Sequence, residues 1–158
     1  MTEANNAFME AAIALSLESV QTRKGGPYGA VVVKDHTIIG RGMNLVTLTH
    51  DPTAHAEMLA IREACDRLQT WQLVGCELYT SCEPCPMCLA AIYWARLDRV
   101  YYANTKETAA AYGFGSQAIY QELALPLNQR QLPLIQLLPT AAEAAFEAWA
   151  NQPDKQPY

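Results

Sequence analysis

The chain has 158 residues, of which 51% are hydrophobic and 17% charged, and a formal net charge of −5. That length and balance describe one folded domain with a buried core, and exclude a disordered tail or a small scaffold that needs disulfide staples. The acidic balance provides no broad positive field, no basic cluster extends beyond residues 22–24, and no apolar run reaches about eighteen residues, so neither nucleic acid nor a membrane is an expected partner. The start, MTEANNAFMEAA, lacks the basic and apolar stretches of a signal peptide. The expected location is the cytoplasm, where five cysteines stay reduced; an odd number at short intervals points to thiolate or metal chemistry.

In chain order, Phe8, Ala12, Leu15, Leu17 and Val20 give residues 4–23 a loose helical stripe, which Gly25-Gly26 ends. YGAVVVK and TIIGRGM, separated by Asp35-His36, predict two strands joined by a tight turn. Asp51-Pro52-Thr53 reads as a helix start, with Met58, Ile61, Ala64, Cys65 and Leu68 at helical spacing over residues 54–68, which puts His55 in the opening turn. CELYT predicts a short strand, and Pro84 suits the first turn of a helix with its body at residues 87–95. RVYYA predicts another strand, residues 105–112 a helix, LPLIQLL (132–138) a fifth strand, and residues 141–150 a last helix. Alternation of this kind implies an α/β protein with a largely parallel sheet covered on both faces. Residues 1–150 form the predicted domain, and the polar NQPDKQPY (151–158) is a tail without core residues.

Two stretches carry the chemistry. Cys85 and Cys88, three apart near a helix start, direct two sulfurs at one ion, and the positive helix terminus favours their thiolate forms. His55 supplies a third ligand, leaving the fourth tetrahedral position of a zinc ion for water, the arrangement of a catalytic site. Glu57 is the proton carrier, but its spacing of two from His55 does not share a helix face, so both flank one site only if that site lies off the helix end. The alternative is a closed site in which Cys82 is the fourth ligand and zinc staples the fold of a non-catalytic module. Cys65 and Cys76 read as core residues.

HAE at His55 to Glu57, followed by PCPMC at Pro84 to Cys88, resembles the cytidine deaminase superfamily. Within it, GGPYGAVVVKD, DPTAHAEMLAIREAC, LYTSCEPCPMCLAAIYWAR and the terminal Tyr158 are similar to bacterial guanine deaminases over nearly the whole chain. The resemblance implies a three-layer α/β/α fold with a five-stranded mixed sheet, and a homodimer whose C-terminal tails, residues 151–158 here, close each other's active sites. It also implies zinc, one per subunit, on His55, Cys85 and Cys88, with Glu57 as catalytic proton shuttle. Asn44 matches the base-recognising residue, Tyr28 and Trp94 match aromatic positions near the base, and backbone amides near Ala56 and Cys85 steady the intermediate.

One departure bears on the substrate. The family follows Gly113-Phe114 with acidic residues, one of which accepts from the donor edge of guanine, whereas this chain has Gly115-Ser116. A buried donor without its acceptor costs about 1–3 kcal/mol. Either Ser116, a water, Asp154 or the terminal carboxylate of Tyr158 substitutes, or the substrate is another amine-bearing ring: an aminopyrimidine, a pterin, a triazine or a nucleoside. Editing of transfer RNA adenosine uses the same metal motifs but needs nucleic-acid contacts that the acidic composition does not advertise.

Overall fold

Asn5 opens the described chain, residues 5–157 of a computed structural model, and caps its first helix. Its side-chain oxygen accepts from the Ala7 N–H at 2.9 Å, satisfying one amide that a helix start leaves unpaired, and α1 spans Asn6–Gln21. β1 (Gly29–Lys34) and β2 (Thr37–Met43) form the expected hairpin. Its turn residues, Asp35 and His36, both adopt positive φ (46° and 59°), as the twist of a two-residue hairpin requires. A single turn, α2 (Val46–Thr49), precedes α3 (Ala56–Leu68), then β3 (Cys76–Cys82), α4 (Pro86–Trp94), β4 (Arg99–Asn104), α5 (Lys106–Ala111) and α6 (Gln117–Ala124).

The sheet order is β2-β1-β3-β4. Side chains alternate across it, so β1, buried along nearly its whole length, feeds two cores. Val31 and Val33 join Tyr79 and Ala12 beneath α1, while Ala30, Val32 and Leu78 face Ala60, Ala64 and Ile92 of the α3 and α4 side. The α3 backbone lies almost on β2, which is why that strand carries glycine there: a Cβ on Gly42 would stand 2.0 Å from the Ala56 carbonyl oxygen, and one on Gly40 2.2 Å from that of Ala60.

Several expectations are corrected. The sheet is mixed rather than largely parallel: β1 is antiparallel to both neighbours, and only β3 and β4, linked through α4, run parallel. Among the described residues it has four strands, not five. Residues 132–138 form no strand, because no ladder of the sheet includes them, and the Leu138 carbonyl instead accepts the Ala142 N–H at the start of the next helix. The helix after β3 begins at Pro86, with Cys85 as N-cap, so Pro86 rather than Pro84 takes the first helical position. His55 is likewise the N-cap of α3, one step outside the opening turn.

Packing divides the chain within α6: one unit ends at Tyr120 and the other begins at Gln121. In the second unit the Arg130 guanidinium binds the carbonyls of Leu125 and Leu123, a 3-10 turn spans Leu127–Gln129, and α7 spans Pro139–Ala150. Its Leu132, Ile135, Leu137 and Phe146 stay between 73% and 79% exposed. Among the described residues no helix is long and apolar enough to cross a membrane.

Candidate active site

The starts of α3 and α4 face one another across the end of the sheet and bring the predicted ligands together. A turn sets up the first: Asp51 accepts from the Thr53 backbone N–H (2.8 Å) and hydroxyl (2.7 Å), and the His55 N–H donates to the Thr53 carbonyl (2.8 Å). As N-cap, His55 has extended backbone (φ −73°, ψ 156°), which sends its side chain off the helix end. Glu57, inside the first turn, is buried beneath it, and the awkward spacing of two is resolved by this change of backbone at His55. Cys85 occupies the matching N-cap of α4, and Cys88 is fully buried one turn on.

The imidazole Nδ1 of His55 lies 3.6 Å from the Cys85 sulfur and 3.4 Å from the Cys88 sulfur, and all three donor atoms fall within 4.8 Å of one another. A tetrahedral zinc with bonds of about 2.0 Å to nitrogen and 2.3 Å to sulfur holds such donors about 3.5 Å apart, so the trio fits that ion. Cys82 stands outside it: the thiol is buried 3.6 Å from the Thr105 carbonyl oxygen. Among the described residues this is the group whose donors converge, and it supplies three ligands rather than four.

The charges are arranged for proton traffic. Burial pushes the Glu57 carboxyl above the usual carboxylate range, making it a stronger proton acceptor than an exposed glutamate. A hydrogen bond from the Cys88 thiol, aided by His55, draws Cys85 down to about 4, while Cys88 is pushed up by keeping that shared proton. The hydrogen bond to Cys85 raises His55. Burial and the neighbouring Cys82, Glu57 and Cys85 push the Tyr28 phenol up to about 12, so it is a neutral hydroxyl at any working pH.

These groups open onto a cavity of about 410 Å³, within the range of small-molecule sites. His55, Glu57, Cys85, Asn44, Tyr28 and Ser116 all line it. The Asn44 side-chain oxygen accepts from the backbone N–H groups of Gly26 (3.2 Å) and Val46 (3.3 Å), which leaves the Nδ2 amide as its donor. Tyr28 meets Phe114 edge to face, with ring centroids 5.6 Å apart. Ala56 is fully buried at the start of α3, Trp94 is 64% exposed at the end of α4, and neither lines the cavity; Tyr158 lies outside the described residues. Glu83 and Lys106 also face the cavity, joined by an ion pair of 2.9 Å. Neither stands in a metal or nucleophile motif, and no spacing in the sequence points to them.

Comparison with known proteins agrees with this geometry. Residues 2–104 match the family described as the cytidine and deoxycytidylate deaminase zinc-binding region. The chain is 50% identical to a guanine deaminase of Bacillus subtilis (strain 168) over 151 residues, 96% of this chain and 97% of that one. An X-ray structure of guanine deaminase from Bacillus subtilis superposes with a TM-score of 0.95 at 48% identity, covering 99% of both chains. A tRNA-specific adenosine deaminase of Aquifex aeolicus (strain VF5) is 52% identical over 77 residues, but these are only 49% of this chain and 51% of that one. A converging His/Cys/Cys trio, a buried carboxyl beside it and a family match across residues 2–104 lead to one conclusion: this protein belongs to the family of the cytidine and deoxycytidylate deaminase zinc-binding region.

Proposed function

We propose that this protein is a zinc-dependent aminohydrolase that converts guanine and water to xanthine and ammonia. The observation that carries the reading is the meeting of the His55, Cys85 and Cys88 trio with the buried Glu57 carboxyl in one base-sized cavity. Near-full-length similarity to a guanine deaminase supports the choice of base, and the similarity to tRNA deaminases stops at about half the chain. One zinc per subunit on the trio matches the donor set, and the cytoplasm is the proposed location.

When bound, zinc supplies Lewis acidity that makes water a nucleophile at neutral pH, lowering its pKa from about 15.7 to about 7. Glu57 takes the first proton of the attacking water and passes it to the ring nitrogen beside the amine-bearing carbon. It then moves the second proton, freed as the added hydroxyl becomes a carbonyl, to the departing amine, so that ammonia leaves and the carboxylate is restored. Its burial suits it to the task, because a carboxyl raised above its ordinary value accepts a proton more readily than an exposed one and, once protonated, returns it to the substrate beside it. Asn44 orients the base through Nδ2, Tyr28 and Phe114 supply an aromatic wall, and amides near Ala56 and Cys85 steady the charge that develops on the ring. Trp94 and the Tyr158 tail act in a homodimer, in which residues 151–158 of each subunit close the other's site. The exposed apolar residues of the second unit support that assembly, since monomers rarely leave so much apolar surface uncovered.

A second reading is favoured by Ser116. The carboxylates lining the cavity are Glu57, reserved for proton transfer, and Glu83, whose two oxygens are held by Lys106. Among the described residues no uncommitted carboxylate lines the cavity, and another amine-bearing heterocycle is therefore the alternative substrate. Ammonia release from guanine, measured against a panel of aminopurines, aminopyrimidines, pterins and triazines, separates the two. Guanine is expected to lead; a tenfold preference for another ring would replace it.

A further inference from the structure

We propose that Glu83, Lys106 and Tyr120 are positioning residues for the metal centre, clasping the loop that carries Cys85 and so setting how tightly the trio holds zinc. This rests on the zinc reading and not on the identity of the base. The three ligands are not equally anchored. His55 is fixed by α3 lying against β2, and Cys88 is fully buried within α4. Cys85, partly buried as His55 is, ends a short connection, Glu83-Pro84-Cys85, that belongs to no strand or helix.

Each residue leading to Cys85 is tied to the segment 104–120. The Glu83 N–H donates to the Asn104 carbonyl at 2.8 Å. The Glu83 carboxylate accepts the Lys106 backbone N–H on one oxygen (3.1 Å) and the Lys106 ammonium on the other (2.9 Å). The Pro84 carbonyl, the last backbone acceptor before the ligand, receives the Tyr120 hydroxyl at 3.0 Å. Proline has no N–H, so this carbonyl is the one backbone group through which Pro84 can be held. The same segment supplies Ala109, Phe114 and Ile119 to the cavity wall, so the clasp joins the wall that faces substrate to the loop that faces the ion. Partners that hold a ligand's own side chain typically change metal affinity by 10–100-fold when lost, and this clasp acts one step further out, on the backbone that leads into Cys85.

The test uses the full-length protein stripped of metal, with zinc affinity read by competition against a chelator and the thermal midpoint of the metal-free form read in parallel. Tyr120→Phe removes one hydroxyl, and Glu83→Gln removes one charge at nearly constant shape. Each is expected to weaken zinc binding about tenfold or more while the metal-free midpoint stays within about 2 °C of the parent. Affinities within twofold of the parent in both variants would overturn the proposal. So would a loss of affinity matched by an equal loss of metal-free stability, which is the mark of a purely structural tie. A parent protein that binds no zinc would overturn the metal reading and this proposal together. Should Tyr120→Phe not fold, Glu83→Gln and Lys106→Met, measured the same way, decide the matter.

Discussion

Replacing Gly42 with alanine tests whether the seat of α3 on β2 sets the metal site. The added Cβ would stand 2.0 Å from the Ala56 carbonyl oxygen and 2.8 Å from the Ala60 nitrogen, both backbone atoms that no rotamer change can clear. Ordinary contact begins at 3.4 Å, so the start of α3 must retreat by about 1.4 Å. His55 and Glu57 flank Ala56 and move with it, whereas Cys85 and Cys88 ride on α4 and stay. The donor separations of 3.4 and 3.6 Å then no longer match one tetrahedral ion. A misplacement of about 1 Å costs on the order of 100-fold in rate, and overpacking of this kind costs about 3 kcal/mol, or a midpoint fall of about 6–12 °C at this chain length. Gly75→Ala is the control: Gly75 has φ of 80° with nothing within 4 Å, so the change strains the backbone but leaves the site alone. Zinc affinity, ammonia release at saturating zinc and the thermal midpoint are measured for both. Gly42→Ala with parental zinc affinity and turnover would refute the reasoning, as would a Gly75→Ala protein that loses zinc to the same degree.

Other outcomes follow from the same geometry. Glu57→Ala should keep its zinc, measured as metal content after purification, yet lose about 10²–10⁴-fold in ammonia release; retained turnover would remove Glu57 from proton transfer. Cys82→Ala should keep both zinc and activity, because that sulfur faces the Thr105 carbonyl instead of the trio, whereas a closed four-ligand site would lose its metal. Zinc binding should tighten as pH rises through neutrality. Cys85, drawn down to about 4, has no proton left to release, but Cys88, pushed above its ordinary value, must give one up to the solvent before it binds, and the upward shift of His55 acts in the same direction. Titration calorimetry in buffers of different ionisation heat checks the sign: proton release is expected, and none would refute it. Ser116→Asp, which restores a carboxylate to the cavity wall, should raise kcat/KM for guanine about tenfold or more; no gain would show that the donor edge is already satisfied.

What could be read without coordinates was whatever lies close together in the chain. The spacing of Cys85 and Cys88, the pairing of His55 with Glu57, the Asp35-His36 turn and the alternating hydrophobic residues of β1 and β2 are local facts, because helix and strand periodicity act over a few residues. They pointed to the three donors that converge, to the buried carboxyl beside them and to most of the elements. Only the fold decided how His55 and Glu57 share a site two residues apart, since that turned on an extended N-cap whose position a propensity pattern places only within a residue or two. It also decided that three donors converge and Cys82 does not, that β1 is antiparallel to β3, and that residues 132–138 form no strand. Tyr120 meets Pro84 across 36 positions and Lys106 meets Glu83 across 23, and no periodic signal spans such distances. Those contacts exist because β3 and β4 lie side by side, so the residues that follow each strand meet at one end of the sheet, a consequence of pairing that a chain read in order does not contain.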